Sequence, residues 1–331
     1  MHEAHAFSLS QIDHSRLHGE LIERRTKLEA AAARSDADQL AELLDAVDEA
    51  LHRLEQGDFG ICEVCDAPIE SDLLIDDPLT RICLECLSAN QRRALEHDLS
   101  LASSIQKRLL PETSFDAAGW EGFYNYEPHG AVSGDFCDVI RDGEETLVFL
   151  GDVSGKGVSA ALLMSHLSAI FRGLAGSGLQ LVDIVERANR LFCAAIPAGS
   201  FATLVAARLS ADGEIELTNA GHVPPIVQNG HVERLPPDGV PLGLFCQSAY
   251  TSQRLHLQTG DRLVLVTDGL IESTDDRDTE YGLDALSSIV ESFPHEGPSD
   301  LAERLVADVA RFRNGRPADD DTTLMVVRRT K

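Results

Sequence analysis

Aspartates at the ends of apolar runs are the residues through which this chain could do chemistry. They occur in "VSGDFCD" (Asp135 and Asp138), "VFLGDVSG" (Asp152), "LVLVTDG" (Asp268) and "ADDDTTLMVV" (Asp319, Asp320 and Asp321). A strand end aims a side chain rigidly, and carboxylates aimed at one point make an oxygen-rich site suited to hard ions such as Mg2+ or Mn2+. Taken singly, each aspartate reads as a turn former or helix cap. Four such clusters, most beside Gly or Thr, favour a shared metal site. The segment "LVFLGDVSGKGVSAALLM" (147–164) also has the outline of a phosphate loop, which requires G-x-x-x-x-G-K-[ST]. Here three residues separate Gly151 from Gly155, and Gly157 stands where the hydroxyl is needed. The carboxylate of Asp152 is therefore the candidate, not a backbone cradle.

A second constellation is sulfur-based. Cys62 and Cys65 in "CEVC", followed by Cys83 and Cys86 in "CLEC", give C-x2-C-x17-C-x2-C. That spacing reads as a zinc site, and a closed shell of four thiolates is structural rather than catalytic. Cys137, Cys193 and Cys246 are scattered along the rest of the chain.

The elements that must carry these residues fall into two styles. A helix is expected over 10–34, with Leu17, Leu21 and Leu28 on one face. A second helix ends at Gly57, with Leu40, Leu43, Leu44, Val47, Leu51 and Leu54 at helical spacing. Together they suggest an antiparallel hairpin. A third helix, 88–110, carries the stripe Leu95, Leu99, Ala102, Ile105 and Leu109 and is closed by Pro111. Its stripe either packs on its own domain or pairs with a second copy as a parallel coiled coil. From 115 onward, short β-branched and apolar runs alternate with turns such as "ADGE" and "QNGH". Helical periods intervene at 158–174, 180–195, 282–292 and 298–313. The pattern predicts an α+β sandwich rather than a doubly wound sheet. The expected division is 1–87 (hairpin and cysteine region), 88–111 (linker helix) and 112–331 (sandwich).

Bulk properties narrow the partners. The 331 residues carry a net charge of −27 and 43% hydrophobic residues. Such acidity argues against general binding to nucleic-acid backbones, which depends on Lys and Arg displacing counterions. No run of 18 apolar residues appears and the start lacks a signal-peptide pattern, so neither a membrane span nor export is expected. Seven cysteines without an export signal point to a reducing, cytoplasmic setting.

"LDAVDEALHRLEQGDFGICEVCDAPIE" with "RICLECL" resembles the DksA/TraR zinc-finger family, bacterial proteins that bind RNA polymerase. The resemblance covers about residues 36–90 and implies one structural Zn2+. The hairpin looks short and its turn, "AARSDAD", lacks the family's acidic D-x-x-D-x-A tip. A sensing or docking module is therefore expected here, and a polymerase-binding transcription regulator is the alternative reading.

"SGDFCD", "GDVSGKGVSAALLM", "TNAGHVPP", "LVTDGLIES" and "DDDTTLMVV", in that order, resemble the PPM metal-dependent serine/threonine phosphatases, in their SpoIIE/RsbU branch. The stretch "IQKRLLPE" is similar to the one preceding the domain in RsbU-like proteins. The resemblance, over about 104–331, implies two face-to-face antiparallel sheets, helices outside, and two Mn2+ or Mg2+ ions at one end. It implies that Asp152 bridges both ions, that the Val153 carbonyl binds one, and that Asp135, Asp268 and Asp320 complete the set. Asp138 is a weaker candidate. The catalytic residues would be Asp152, Asp268 and Asp320, acting on a water that attacks phosphorus without a phosphoenzyme. The implied substrate is phosphoserine or phosphothreonine on a STAS-type anti-sigma-factor antagonist. Ser154 replaces the His of eukaryotic relatives, and Ser133-Gly134 replaces a double glycine. His222 is expected to be a hydrogen-bonded structural residue, and Lys156 either meets phosphate or caps backbone. A cysteine phosphatase is disfavoured, since Cys137 lies among aspartates that would raise its pKa. A pseudophosphatase scaffold has no need of so many like charges.

Overall fold

The computed structural model describes residues 17–19, 21, 22, 24–26, 38–86, 89–197 and 199–331. The chain divides into two compact units, residues 1–98 and 99–331. The first unit contains helical residues at 17–19, 21, 22 and 24–26, then helix α1 (Asp38–Gln56), the short helix α2 (Ser71–Asp76) and a 3-10 turn (Leu84–Cys86). Helical spacing places Val47, Leu51 and Leu54 on one buried face of α1, and Leu21 joins Val47, Ala50 and Leu51 in a small core. Gly57 ends the helix in the left-handed region (φ +83°), the usual glycine stop. Most of the expected 10–34 helix, and the turn that would close the hairpin, lie outside the described residues. A second small core holds Cys62, Ile69, Leu74 and Cys83. Among the described residues these two clusters make a weak core alone, and small domains of this kind usually need a staple or a metal.

The unit boundary falls inside helix α3 (Ala89–Leu109). In its 99–109 part the buried residue is Gln106, while Ile105 is 53% exposed. The expected apolar stripe is thus broken at Ile105. A polar side chain occupies the inward position because it has two hydrogen-bond partners there, described below.

Residues 114–329 form two antiparallel sheets. One is ordered β1 (Ser114–Ala117), β2 (Trp120–Glu127), β11 (Thr322–Arg329), β10 (Arg262–Val266), β7 (Ile226–Gln228), β8 (Val232–Arg234). The other is ordered β3 (Asp135–Asp142), β4 (Glu145–Val153), β5 (Ala202–Leu209), β6 (Glu214–Ala220), β9 (Gln253–His256). Three apolar layers follow from the twofold alternation of strand side chains. On β4, Val148 and Leu150 face the opposite sheet, where they meet Leu263, Leu265, Met325 and Val327. Leu147 and Phe149 face outward onto helices α4 (Gly157–Leu174) and α5 (Leu181–Cys193). Val264, Val266, Leu324 and Val326 face the other way, onto α7 (Gly282–Ser292) and α8 (Pro298–Phe312). The short helix α6 (Asp268–Ile271) follows β10. Because both faces of the central strands are buried, they read as unbroken apolar runs such as "RLVLV" and "TTLMVV". The α+β sandwich expected from the sequence is the fold observed.

Helix α4 has the length and apolar composition of a membrane span. Its apolar face is occupied within the protein, where Ala160, Met164, Leu167 and Phe171 pack in the layer outside β3–β5. Phe171 meets Phe149 at 4.5 Å and Phe136 at 5.7 Å between ring centroids. Phe149→Ala should remove the middle of this cluster at a cost of about 3–5 kcal/mol. Thermal unfolding of the sandwich, followed by near-ultraviolet circular dichroism, should then shift down by roughly 10 °C.

Candidate active site

Strand pairing brings the first two aspartates together. Asp135 opens β3, Asp152 is the penultimate residue of β4, and the two are direct partners in the antiparallel ladder. Their strand parity puts both on the face between the sheets, with Cys137, Val148 and Leu150. From the opposite sheet, Thr267 follows β10 and Thr323 lies in β11. Both hydroxyls donate to Asp135 Oδ2, that of Thr267 at 3.0 Å. Asp135 is 1% exposed. Burial above all, and then the charges of Asp152 and Asp321, push its carboxyl well above the usual range, while the threonine hydroxyls partly offset them.

Asp268 starts α6 directly after β10, and its Oδ1 accepts the Gly269 N–H at 2.9 Å. Asp320 precedes β11, and its Oδ1 accepts the Asp321 N–H at 2.9 Å. Burial first, and then the charges of Asp268, Asp320 and Asp321, raise the Asp152 carboxyl from 3.8 to about 8. Asp268 is raised too, chiefly by burial and then by Asp320. Asp135, Asp152, Asp268 and Asp320, all singled out from sequence, thus meet at one end of the sandwich. The chain after Asp152 turns tightly, with Gly155 at φ +100° and Gly157 at +73°, backbone that only glycine adopts freely. Gly134 is required for space: a Cβ there would stand 3.0 Å from the Val153 carbonyl oxygen and 3.3 Å from Asp152 Oδ1.

Other carboxylates are spent on structure. Asp321 accepts the N–H groups of His129 (2.7 Å) and Gly134 (2.9 Å), one on each oxygen, and so ties the β11 entry to the loop before β3. Asp138 lies an odd number of residues from Asp135 and so points to the opposite face of β3. There Arg172 of α4 grips both its oxygens, at 2.7 and 3.1 Å. Lys156 Nζ donates to the Asp319 carbonyl at 2.8 Å and lies 3.0 Å from Asp320 Oδ2, so it caps backbone and offsets part of the acidic charge.

Two further residues support the site. Gln106 of α3 brackets Ser133, its Nε2 donating to the Ser133 carbonyl (2.7 Å) and its Oε1 accepting the Ser133 N–H (3.0 Å). This fixes the chain two residues before Asp135. Sequence reasoning missed it because a glutamine inside "IQKRLLPE" carries no periodic signal. Ser154 holds the far wall, with its N–H donating to the Phe201 carbonyl (2.9 Å) and its Oγ accepting the Phe201 N–H (3.0 Å). Its hydroxyl is therefore engaged in packing the loop. His222 is 3% exposed, its Nδ1 lies 2.8 Å from Thr203 Oγ1, and burial drives its pKa down to about 4. A neutral, packed histidine fits the structural role expected for it.

The carboxylate edge fits divalent ions on its own chemistry. Like charges directly opposite in a ladder repel, and burial deepens the cost, so hard cations would relieve both terms. No three of these aspartates lie within 4.8 Å of one another through their oxygens, a distance that among the described residues only the cysteine quartet meets. In the first unit, Cys62, Cys65, Cys83 and Cys86 gather within that 4.8 Å, with Cys65 and Cys83 Sγ 3.7 Å apart. Tetrahedral thiolates about 2.3 Å from one ion would sit at nearly this separation. The Cys83 N–H, 3.4 Å from Cys62 Sγ, helps to lower the Cys62 thiol to about 6 and favours the thiolate a metal needs.

A pH dependence follows for the metal-free protein. Asp152 binds its proton more tightly folded than unfolded, so between about pH 4 and 8 the folded state holds more protons and stability falls as pH rises. Melts in chelator should show the midpoint falling by roughly 5–10 °C from mildly acidic to mildly alkaline pH. Manganese should restore more of the loss at the alkaline end, where carboxylates are free to bind it. A chelated protein with a flat profile would contradict this electrostatic reading.

Comparison with known proteins agrees with this architecture. Residues 142–330 match the family described as Stage II sporulation protein E (SpoIIE). The chain is 24% identical over 250 residues to phosphoserine phosphatase RsbU of Bacillus subtilis, spanning 72% of each chain. It superposes with a TM-score of 0.57 and 27% identity on the RsbU and RsbW domains of Rv1364c from Mycobacterium tuberculosis, covering 67% of this chain and 62% of that one. With the SiaA-PP2C domain of Pseudomonas aeruginosa the TM-score is 0.62 at 20% identity, covering 73% and 99%, a likeness of fold. The family match over more than half the chain and the carboxylate-edged double sheet lead to one assignment: the chain belongs to the SpoIIE family and is a protein serine/threonine phosphatase.

Proposed function

We propose that the chain hydrolyses phosphoserine or phosphothreonine on a regulatory protein of the STAS anti-sigma-antagonist type. Its site would hold two Mn2+ or Mg2+ ions and its cysteine unit one structural Zn2+. The observation that carries this reading is the ladder pairing of Asp135 with Asp152, joined by Asp268 and Asp320 at the same edge. Similarity to a relative named phosphoserine phosphatase supports the substrate class. When bound, such ions supply a water of lowered pKa and positive charge for the phosphoryl oxygens.

The chain's own residues define what is asked of that site. Asp152 would bridge the ions, the Val153 carbonyl would reach one of them, and Asp268 and Asp320 would flank the other side. Asp135, with Oδ2 held by Thr267 and Thr323, keeps Oδ1 for metal or bound water. Asp321 and Gln106 fix the backbone of 133–134, and Ser154 with Phe201 fixes the opposite wall. Rigid placement of this kind limits reorganisation during reaction. The set contains no activated thiolate, since burial pushes Cys137 well above its usual value.

The first unit would be the regulatory input, with the DksA/TraR-like finger as a sensing or docking module in the cytoplasm. Leu101 and Ile105 of α3 are each 53% exposed and one helical turn apart, an apolar strip consistent with a homodimer through this helix.

Turnover of p-nitrophenyl phosphate should require Mn2+ or Mg2+, and Asp152→Asn should lower it by at least about 100-fold without changing the fold by circular dichroism. Phosphorylated STAS proteins should then lose phosphate in the same Asp152-dependent way. Metal-independent turnover, or full activity in Asp152→Asn, would refute the proposal.

A further inference from the structure

Two cysteines that look unrelated in sequence meet in the phosphatase unit. Cys193 ends α5 and Cys246 lies in the segment between β8 and β9. They are joined as a disulfide across 53 residues, with Cα atoms 5.7 Å apart. That separation is bridged without moving backbone. Cys246 is exposed and Cys193 half-buried, so the bond is open to small thiols.

The bond fastens a loop tied to the start of β5, the strand that pairs with the Asp152 end of β4. Asn189, one turn before Cys193, is fully buried; its Oδ1 accepts the Gly243 N–H (2.9 Å) and its Nδ2 donates to the Phe245 carbonyl (2.8 Å). Leu242 exchanges two backbone hydrogen bonds with Ala202, at 2.9 and 2.8 Å. The residue before Ala202, Phe201, is the one clamped by Ser154, two positions after Asp152. A short, continuous chain of contacts thus joins the sulfur pair to the metal-binding loop.

We propose that Cys193 and Cys246 are a reversible thiol–disulfide pair that sets how often the loop 242–246 opens, and with it the firmness of the Phe201–Ser154 wall. The co-reactant is a low-molecular-weight disulfide. The exposed Cys246 thiolate attacks that disulfide, releasing one small thiol and forming a mixed disulfide. The Cys193 thiolate then attacks the Cys246 sulfur and displaces the second small thiol. The two protein thiols give up two protons and two electrons, and the co-reactant takes up both as two thiols. In the oxidised form the cross-link limits open states of the loop. In the reduced form the loop rests on non-covalent contacts, chiefly Asn189, the Ala202 pairing and buried Leu242, and local opening becomes more frequent.

The test uses the full chain with Mn2+, equilibrated in oxidised or reduced glutathione. Peptide mass spectrometry should show a Cys193–Cys246 cross-link that forms and reverses. Chymotryptic cleavage after Phe245 should be at least about threefold faster in the reduced form, and p-nitrophenyl phosphate turnover at least about twofold slower. Cys246→Ser and Cys193→Ser should each behave like the reduced protein under both conditions. A bond that never forms, one that reduces only on unfolding, or equal cleavage rates in both forms would overturn the proposal from the wild-type chain alone. Absence of turnover in both states, with the cleavage difference intact, would support the thiol pair and count against the phosphatase reading instead.

Discussion

Repulsion among buried carboxylates is the constraint around which the second unit is built. The β3–β4 register sets Asp135 against Asp152, and the β10 and β11 ends bring Asp268 and Asp320 to the same edge. Isolated, such a cluster would protonate or splay apart. The chain holds it with groups that carry no competing negative charge: two threonine hydroxyls on Asp135, an ammonium on Asp320, and backbone N–H groups on Asp268 and Asp320. The three apolar layers supply the stability that offsets the electrostatic cost. The imbalance left over is what would be relieved by dications at this edge.

The supporting residues share a logic. Each fixes main chain rather than touching a carboxylate oxygen in the reaction zone. Asp321 ties two loops, Gln106 brackets Ser133, and Ser154 clasps Phe201. The site's precision therefore depends on segments far away in sequence. The helix bearing Gln106 and the loop bearing Cys246 are both linked to it through hydrogen bonds to main chain.

Much of this was legible in the sequence because its causes are local. Central strands buried on two faces read as solid apolar runs, "ADGE" and "QNGH" mark tight turns, and helices 158–174 and 298–313 carry their own periodicity. The aspartates were legible because strand ends and glycines announce them. Features that depend on distant pairing left no such mark. Asp138 looked like a weaker member of the site until parity turned it toward Arg172. Ile105 matched the helical stripe, yet Gln106 faces inward because Ser133 offers it two partners. Cys193 and Cys246 are scattered in sequence, and only the packing of α5 against the loop brings them together. Strand β1, only four residues long, and strand β2, mixed in polarity, also lack a clear signal.

The central claim is that these aspartates grip a pair of divalent ions. Anomalous diffraction from crystals of the chain grown with manganese tests it most directly. The account predicts two peaks about 3.5–4 Å apart, with Asp152 touching both and Asp268 and Asp320 on one of them. Manganese absent from this edge, with the same carboxylates bonded only to protein groups, would contradict it.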